Sequence, residues 1–163
     1  MRILNTEPLT RDAFAPFGQV IEADGAQHYP INAGKCERYH DLAKVELGGL
    51  HARTLISLLR SRGFELPHTF TLVERHPLGS QAFYPLSGRS FLAIVAPDQS
   101  GTPGTPRAFV TGPGQGINIA MNTWHGVLTP LGPEADFLCV DRGGEGNNLE
   151  EYHYAEPWTV VAA

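Results

Sequence analysis

Short runs of β-branched and aromatic residues, bounded by glycine, proline or charge, recur along most of the chain and predict strands. They fall at Gln19–Glu22, Thr54–Leu59, Thr69–Glu74, Ser90–Ala96, Arg107–Thr111, Ile117–Ala120, Phe137–Asp141 and Trp158–Val161. One short helix is predicted ahead of them, with Thr10 as N-cap, Arg11–Ala15 as the turn and Pro16-Phe17-Gly18 as the stop. From Pro77 onward lie 9 of the 13 prolines, and from Gly79 onward 12 of the 18 glycines. Turns therefore interrupt the strands at about ten-residue intervals, the spacing of an all-β sandwich or barrel. The polar stretch Pro97–Pro106 lies between two predicted strands and is expected to be a surface loop.

The length of 163 residues suits one domain spanning 1–163, with enough apolar sequence to bury a core without staples. Twelve Lys and Arg against 17 Asp and Glu leave a charge of -5, and the basic residues are not clustered. That balance argues against nucleic acid or an anionic membrane as partner. Cys36 and Cys139 lie far apart without a CxxC spacing, so free thiols are expected. With no apolar leader or membrane-length run, a cytoplasmic location is the expectation.

Candidate chemistry concentrates in three stretches. In Glu74-Arg75-His76, alternation along a strand turns Glu74 and His76 toward one space. Gln81 follows five residues on and Gly88 after a further seven. This spacing resembles the first motif of the cupin barrels, with Glu74 for the first histidine and Gln81 for the carboxylate. Trp124-His125 stands where the second motif supplies its histidine, after the turn Gly112–Gly116. Glu74, His76, Gln81 and His125 together suit a divalent cation of the nickel, manganese or iron type; a metal-free pocket that hydrogen-bonds its substrate is the alternative. In Glu37–Asp41, alternation sets Arg38 beside His40, a guanidinium for a carboxylate next to a titratable base; a solvated edge is the plainer reading. In Asp136–Gly144, Asp141 and Arg142 end an apolar strand, where Asp141 could orient a histidine and Arg142 bind an anion, or the two could pair structurally. Trp124 is expected to pack, and His28, His51, His68 and His153 to lie on the surface. No phosphate loop, GxSxG elbow or cysteine nucleophile is present.

Taken together, Ile31–Gly34, Glu37–Leu42, Glu74–Phe83, Arg107–Phe109, Gly114–Gly116, Trp124-His125 and Asp136–Leu138 with Asp141–Gly144 resemble the ureidoglycolate lyase family over nearly the whole chain. The resemblance implies a cupin-like β-barrel (double-stranded β-helix or jelly roll), a homodimer, and cleavage of (S)-ureidoglycolate to glyoxylate and urea in allantoin degradation. It also implies a nickel ion, which would suit His76 and His125. For this small anion, Arg38 or Arg142 would clamp the carboxylate, and His40, His76 or His125 would act as base. Glu74 or a second histidine would protonate the departing nitrogen, while Gln81 binds the ureido group. The rival readings are a cupin dioxygenase or isomerase acting on a small acid, and a non-catalytic sensor barrel.

Overall fold

The computed structural model describes residues 1–163 and is almost entirely β-structure. In chain order the elements are β1 (Arg2–Pro8), α1 (Arg11–Phe14), β2 (Gly18–Ile21), β3 (His28–Ile31), β4 (Cys36–Tyr39), β5 (Arg53–Ser61), β6 (His68–Arg75), β7 (Gln81–Pro85) and β8 (Phe91–Ala96). They continue with β9 (Asp98–Gln99), β10 (Thr102–Pro103), β11 (Arg107–Val110), β12 (Gly116–Ile119), β13 (Trp124–His125), β14 (Thr129–Pro130), β15 (Ala135–Gly143) and β16 (Glu150–Val161). Six strands close a ring in the order β11-β1-β16-β6-β13-β8, sealed by pairing of β8 with β11. A second sheet, β2-β12-β7-β15-β5, packs beside it. This is the expected all-β barrel with its short N-terminal helix.

The helix is a single turn because Thr10 Oγ1 accepts the Ala13 N–H at 3.2 Å and proline follows at once. Its Phe14 is fully buried, and with Phe17 it packs around Phe109. These rings join Phe83, Phe91, Val95, Ile117, Ile119 and Phe137 in the main core between ring and sheet. Strand β8 is buried at all six positions. Phe91, Ala93 and Val95 belong to that core, whereas Leu92 and Ile94 pack with Ala108 and Val160 on the other side. A strand covered on both faces needs a continuous apolar run, which Phe91–Ala96 supplies. On β15, Ala135, Phe137 and Cys139 point inward in alternation with half-exposed Asp136, Leu138 and Val140.

Every predicted strand forms. Eight strands were not foreseen, namely β1, β3, β4, β7, β9, β10, β13 and β14, nor was the first half of β16. The stretch Pro97–Pro106 is a loop folded into the minimal hairpin β9–β10. Both cysteines are free. His28, His51 and His153 are exposed as expected, but His68 is half-buried between Phe64 and Phe70, and this burial holds its pKa below the ordinary histidine value. Trp124 packs, with the Arg75 guanidinium 4.3 Å over its ring and its Nε1 donating to Asp98.

Candidate active site

The turn from β6 to β7 carries the chain from the ring to the second sheet, and the candidate site lies where it crosses. On the ring side, His125 of β13 is paired directly opposite Glu74 of β6. His76 follows the end of β6, and Gln81 opens β7. The ligand atoms of Glu74, His76 and His125 all lie within 4.8 Å of one another. The two imidazole centroids are 5.1 Å apart, and His76 Nε2 is 3.9 Å from Glu74 Oε1.

Hydrogen bonding fixes which way each group faces. His76 Nδ1 donates to the Asn148 carbonyl at 2.8 Å, and His125 Nδ1 donates to the Gly126 carbonyl at 2.9 Å. A carbonyl only accepts, so each ring keeps a proton on Nδ1 and turns Nε2 to the site; in the neutral ring that nitrogen presents its lone pair. His125 Nε2 is buried without a hydrogen-bond partner. Gln81 Oε1, another acceptor, stands 3.1 Å from His76 Nε2, while its Nε2 donates to Asp141 Oδ2 at 3.2 Å. Two imidazole Nε2 atoms, a carboxylate and an amide oxygen thus converge on one space. Such a donor set fits a divalent cation, and the carbonyls behind the imidazoles are the supports that metal-binding histidines use.

Burial shapes the protonation of the set. It lowers the pKa of His125 to about 4, helped by the neighbouring His76, so that this ring stays neutral. Glu74 is pushed up, first by burial and then by Glu151, against the opposing pull of His76.

The other predicted residues are placed elsewhere. Asp141 and Arg142 form no ion pair; adjacent on a strand, they point to opposite faces, and Asp141 orients an amide rather than a histidine. Arg142 is buried, donating from Nε to the Gly48 carbonyl at 2.9 Å and from NH2 to the Glu145 carbonyl at 2.6 Å. Arg38 and His40 are side by side as expected, Arg38 Nε donating to His40 Nδ1 at 3.1 Å. They sit on and just beyond the exposed hairpin β3–β4, and their hydrogen bonds do not reach the Glu74–His76–His125 cluster. The sequence reading missed Asn148, whose main-chain carbonyl accepts the His76 Nδ1–H while its Oδ1 accepts from Leu78 N–H at 2.8 Å. Lying 72 residues from His76 in a loop, it carries no local signal.

The profile of the family described as Ureidoglycolate lyase matches residues 1–161. A ureidoglycolate lyase of Chelativorans sp. (strain BNC1) is 63% identical over 160 residues, covering 98% of this chain and 97% of that protein. Ureidoglycolate lyase 2 of Rhizobium meliloti (strain 1021) is 59% identical with 98% of each chain covered, and so is a ureidoglycolate lyase of Mesorhizobium japonicum. Among solved structures, a dTDP sugar isomerase from Desulfovibrio desulfuricans G20 superposes with a TM-score of 0.49 at 14% identity, over 86% of this chain and 87% of that one.

Proposed function

The chain belongs to the ureidoglycolate lyase family, and from that premise we propose how its own residues cleave ureidoglycolate into glyoxylate and urea. The carbinol hydroxyl must lose a proton as its C–O bond becomes the carbonyl. The C–N bonding pair leaves with the urea nitrogen, which gains a proton. The observation that carries the assignment is the convergence of the Glu74, His76 and His125 ligand atoms within 4.8 Å of one another.

His76, His125 and one oxygen of Glu74 would hold a divalent cation such as nickel, which when bound polarises the substrate hydroxyl and lowers its pKa. His125, kept neutral by burial, holds rather than moves a proton. Glu74 is the proton carrier: burial raises its carboxyl above the ordinary carboxylate range, and its second oxygen takes the hydroxyl proton and returns it to the departing nitrogen. The Gln81 carbonyl accepts a ureido N–H. Arg142 is already spent on backbone carbonyls, so of the two candidate arginines Arg38 is left for the substrate carboxylate, provided its exposed hairpin is carried to the cluster.

The same reading includes a homodimer. Ile56 and Leu58 on β5 are 74% and 72% exposed. They pair with Val140 and Leu138 of β15, giving the edge of the second sheet an apolar outer face for a second copy to cover. Both cysteines are free, as suits a reducing cytoplasm, and no helix is long and apolar enough to cross a membrane.

The test is product analysis on the purified protein given racemic ureidoglycolate, with and without chelator, following glyoxylate, urea and ammonia separately. Glyoxylate with stoichiometric urea, lost on chelation and restored by Ni²⁺, is the expected result. Ammonia in place of urea, or no glyoxylate, overturns the lyase assignment, and undiminished activity after complete metal removal overturns the cation.

A further inference from the structure

We infer that Asp141 is a positioning residue that makes Gln81 an obligate acceptor toward the site. Gln81 begins β7, and Asp141 stands one rung beyond the Ala82–Val140 pair on β15, so the sheet sets the two side chains together at its open end. A glutamine amide presents an acceptor at one end and a donor at the other, and the two ends are nearly equal in shape. What it shows to a ligand is therefore decided by what holds its far end. Here the far end meets a carboxylate, which only accepts: Gln81 Nε2 donates to Asp141 Oδ2 at 3.2 Å, and Oε1 is left facing His76 Nε2 at 3.1 Å. The neighbouring Cys139 thiol is pushed up to about 12 by burial and by Asp141, against an opposing hydrogen bond from Gln81, so it stays neutral and brings no second charge to draw the amide round.

The consequence for recognition rests on the lyase reading above and sharpens it. An amide locked with its oxygen inward takes an N–H donor or a cation and repels a second acceptor. A substrate arm ending in N–H, as a ureido group does, is accepted, whereas an analogue with an ester or ether oxygen there is refused. The charge arrangement is also economical. With a carboxylate at position 81, Asp141 would face a second negative group in the same part-buried corner.

The test compares Asp141→Asn, Gln81→Glu and the double variant as full-length, chelator-stripped proteins, read by calorimetric titration with Ni²⁺ and by kcat and KM for ureidoglycolate. The amide introduced by Asp141→Asn can donate as well as accept, so in that variant the Gln81 amide samples both orientations. Ni²⁺ affinity falls about tenfold and KM rises by a similar factor. In the double variant the amide at position 141 donates to the carboxylate at position 81, an oxygen faces His76 again, and the net charge equals that of the parent. Ni²⁺ affinity recovers to the parent level or better, a rescue that loss of structure alone would not give. A direct readout needing neither metal nor turnover is the Gln81 carboxamide in ¹⁵N-glutamine-labelled protein, identified by its loss in Gln81→Glu. One shifted N–H pair is expected in the parent, collapsing to averaged values in Asp141→Asn. Unchanged carboxamide resonances and Ni²⁺ affinity in Asp141→Asn, or a double variant no better than Asp141→Asn, overturn the inference. A parent protein inert toward ureidoglycolate would sink the lyase reading and leave these two readouts to decide the role of Asp141.

Discussion

The rings of His76 and His125 stand 5.1 Å apart, inclined at 44°, and each spends its Nδ1 proton on a backbone carbonyl. Two elements that share no local sequence thereby set their imidazoles against one another. The acceptors are the main-chain carbonyls of Gly126, just past β13, and of Asn148, in the loop before β16.

Replacing either histidine with alanine removes one of these lone pairs. Turnover of ureidoglycolate should fall by about 100-fold or more for His76→Ala and for His125→Ala, and bound Ni²⁺ measured after gel filtration should fall below stoichiometric. A folded variant with near-normal turnover would remove that residue from the mechanism.

The exposed pair Arg38 and His40 should behave differently. Arg38→Ala is expected to raise KM for the anionic substrate roughly tenfold or more, as loss of a charge-assisted contact does, with Ni²⁺ affinity unchanged. Steady-state kinetics beside a metal titration separate this outcome from damage at the histidines.

Arg142 is predicted to act through stability. Its side chain is packed among glycines: a Cβ on Gly79 would lie 2.4 Å from Arg142 Cβ, and one on Gly49 would lie 2.8 Å from its NH2. Truncation to alanine leaves the Gly48 and Glu145 carbonyls without their donor and opens a void, a loss of about 2–4 kcal/mol. Lysine should not restore it, because one ammonium cannot span both carbonyls. Urea unfolding of Arg142→Ala and Arg142→Lys measures both effects.

His68 makes a prediction about pH. Burial between Phe64 and Phe70 holds its folded pKa below the ordinary 6.5, so just below pH 6.5 the unfolded chain binds the proton more readily than the folded one. Stability is present above that pH and declines as the pH falls toward the folded pKa. His68→Phe should flatten this part of the stability curve relative to the parent, as followed by thermal melts between about pH 7 and pH 5; an unaltered slope would show that His68 does not contribute.

The outer face of β5 and β15 makes the last one. Ile56→Lys with Leu58→Lys should leave the fold intact, since both side chains already face outward, yet shift the protein to a monomer by placing charges in the apolar contact. Sedimentation velocity gives the answer, and a parent protein that is itself monomeric would discard the dimer.

Much of this was legible in the chain because strand physics is local. Alternation turned Glu74 and His76 to one space and set Arg38 beside His40, and the residues at Thr10 and Pro16 marked the helix. Strands β7 and β13 escaped because β7 opens on Gln81 and ends on Pro85 while β13 is only two residues long, and tertiary pairing with β12, β15, β6 and β8 makes them strands all the same. Asp141 and Arg142 illustrate the opposite error: neighbours of opposite charge suggest a pair, but the pleat sends them to opposite faces.

By itself the sequence determined the all-β class, the family and the identity of the acceptors at positions 74, 76, 81 and 125, because residue type and strand period need no knowledge of distant neighbours. Only the tertiary structure decided the lone-pair orientations, the commitment of Arg142 to backbone carbonyls and the grip of Asp141 on Gln81. Each of these depends on a partner some 60 to 94 residues away or on a main-chain carbonyl that every residue possesses. Side-chain pattern cannot announce such partners, and the closing of the strands around the site is what selects them.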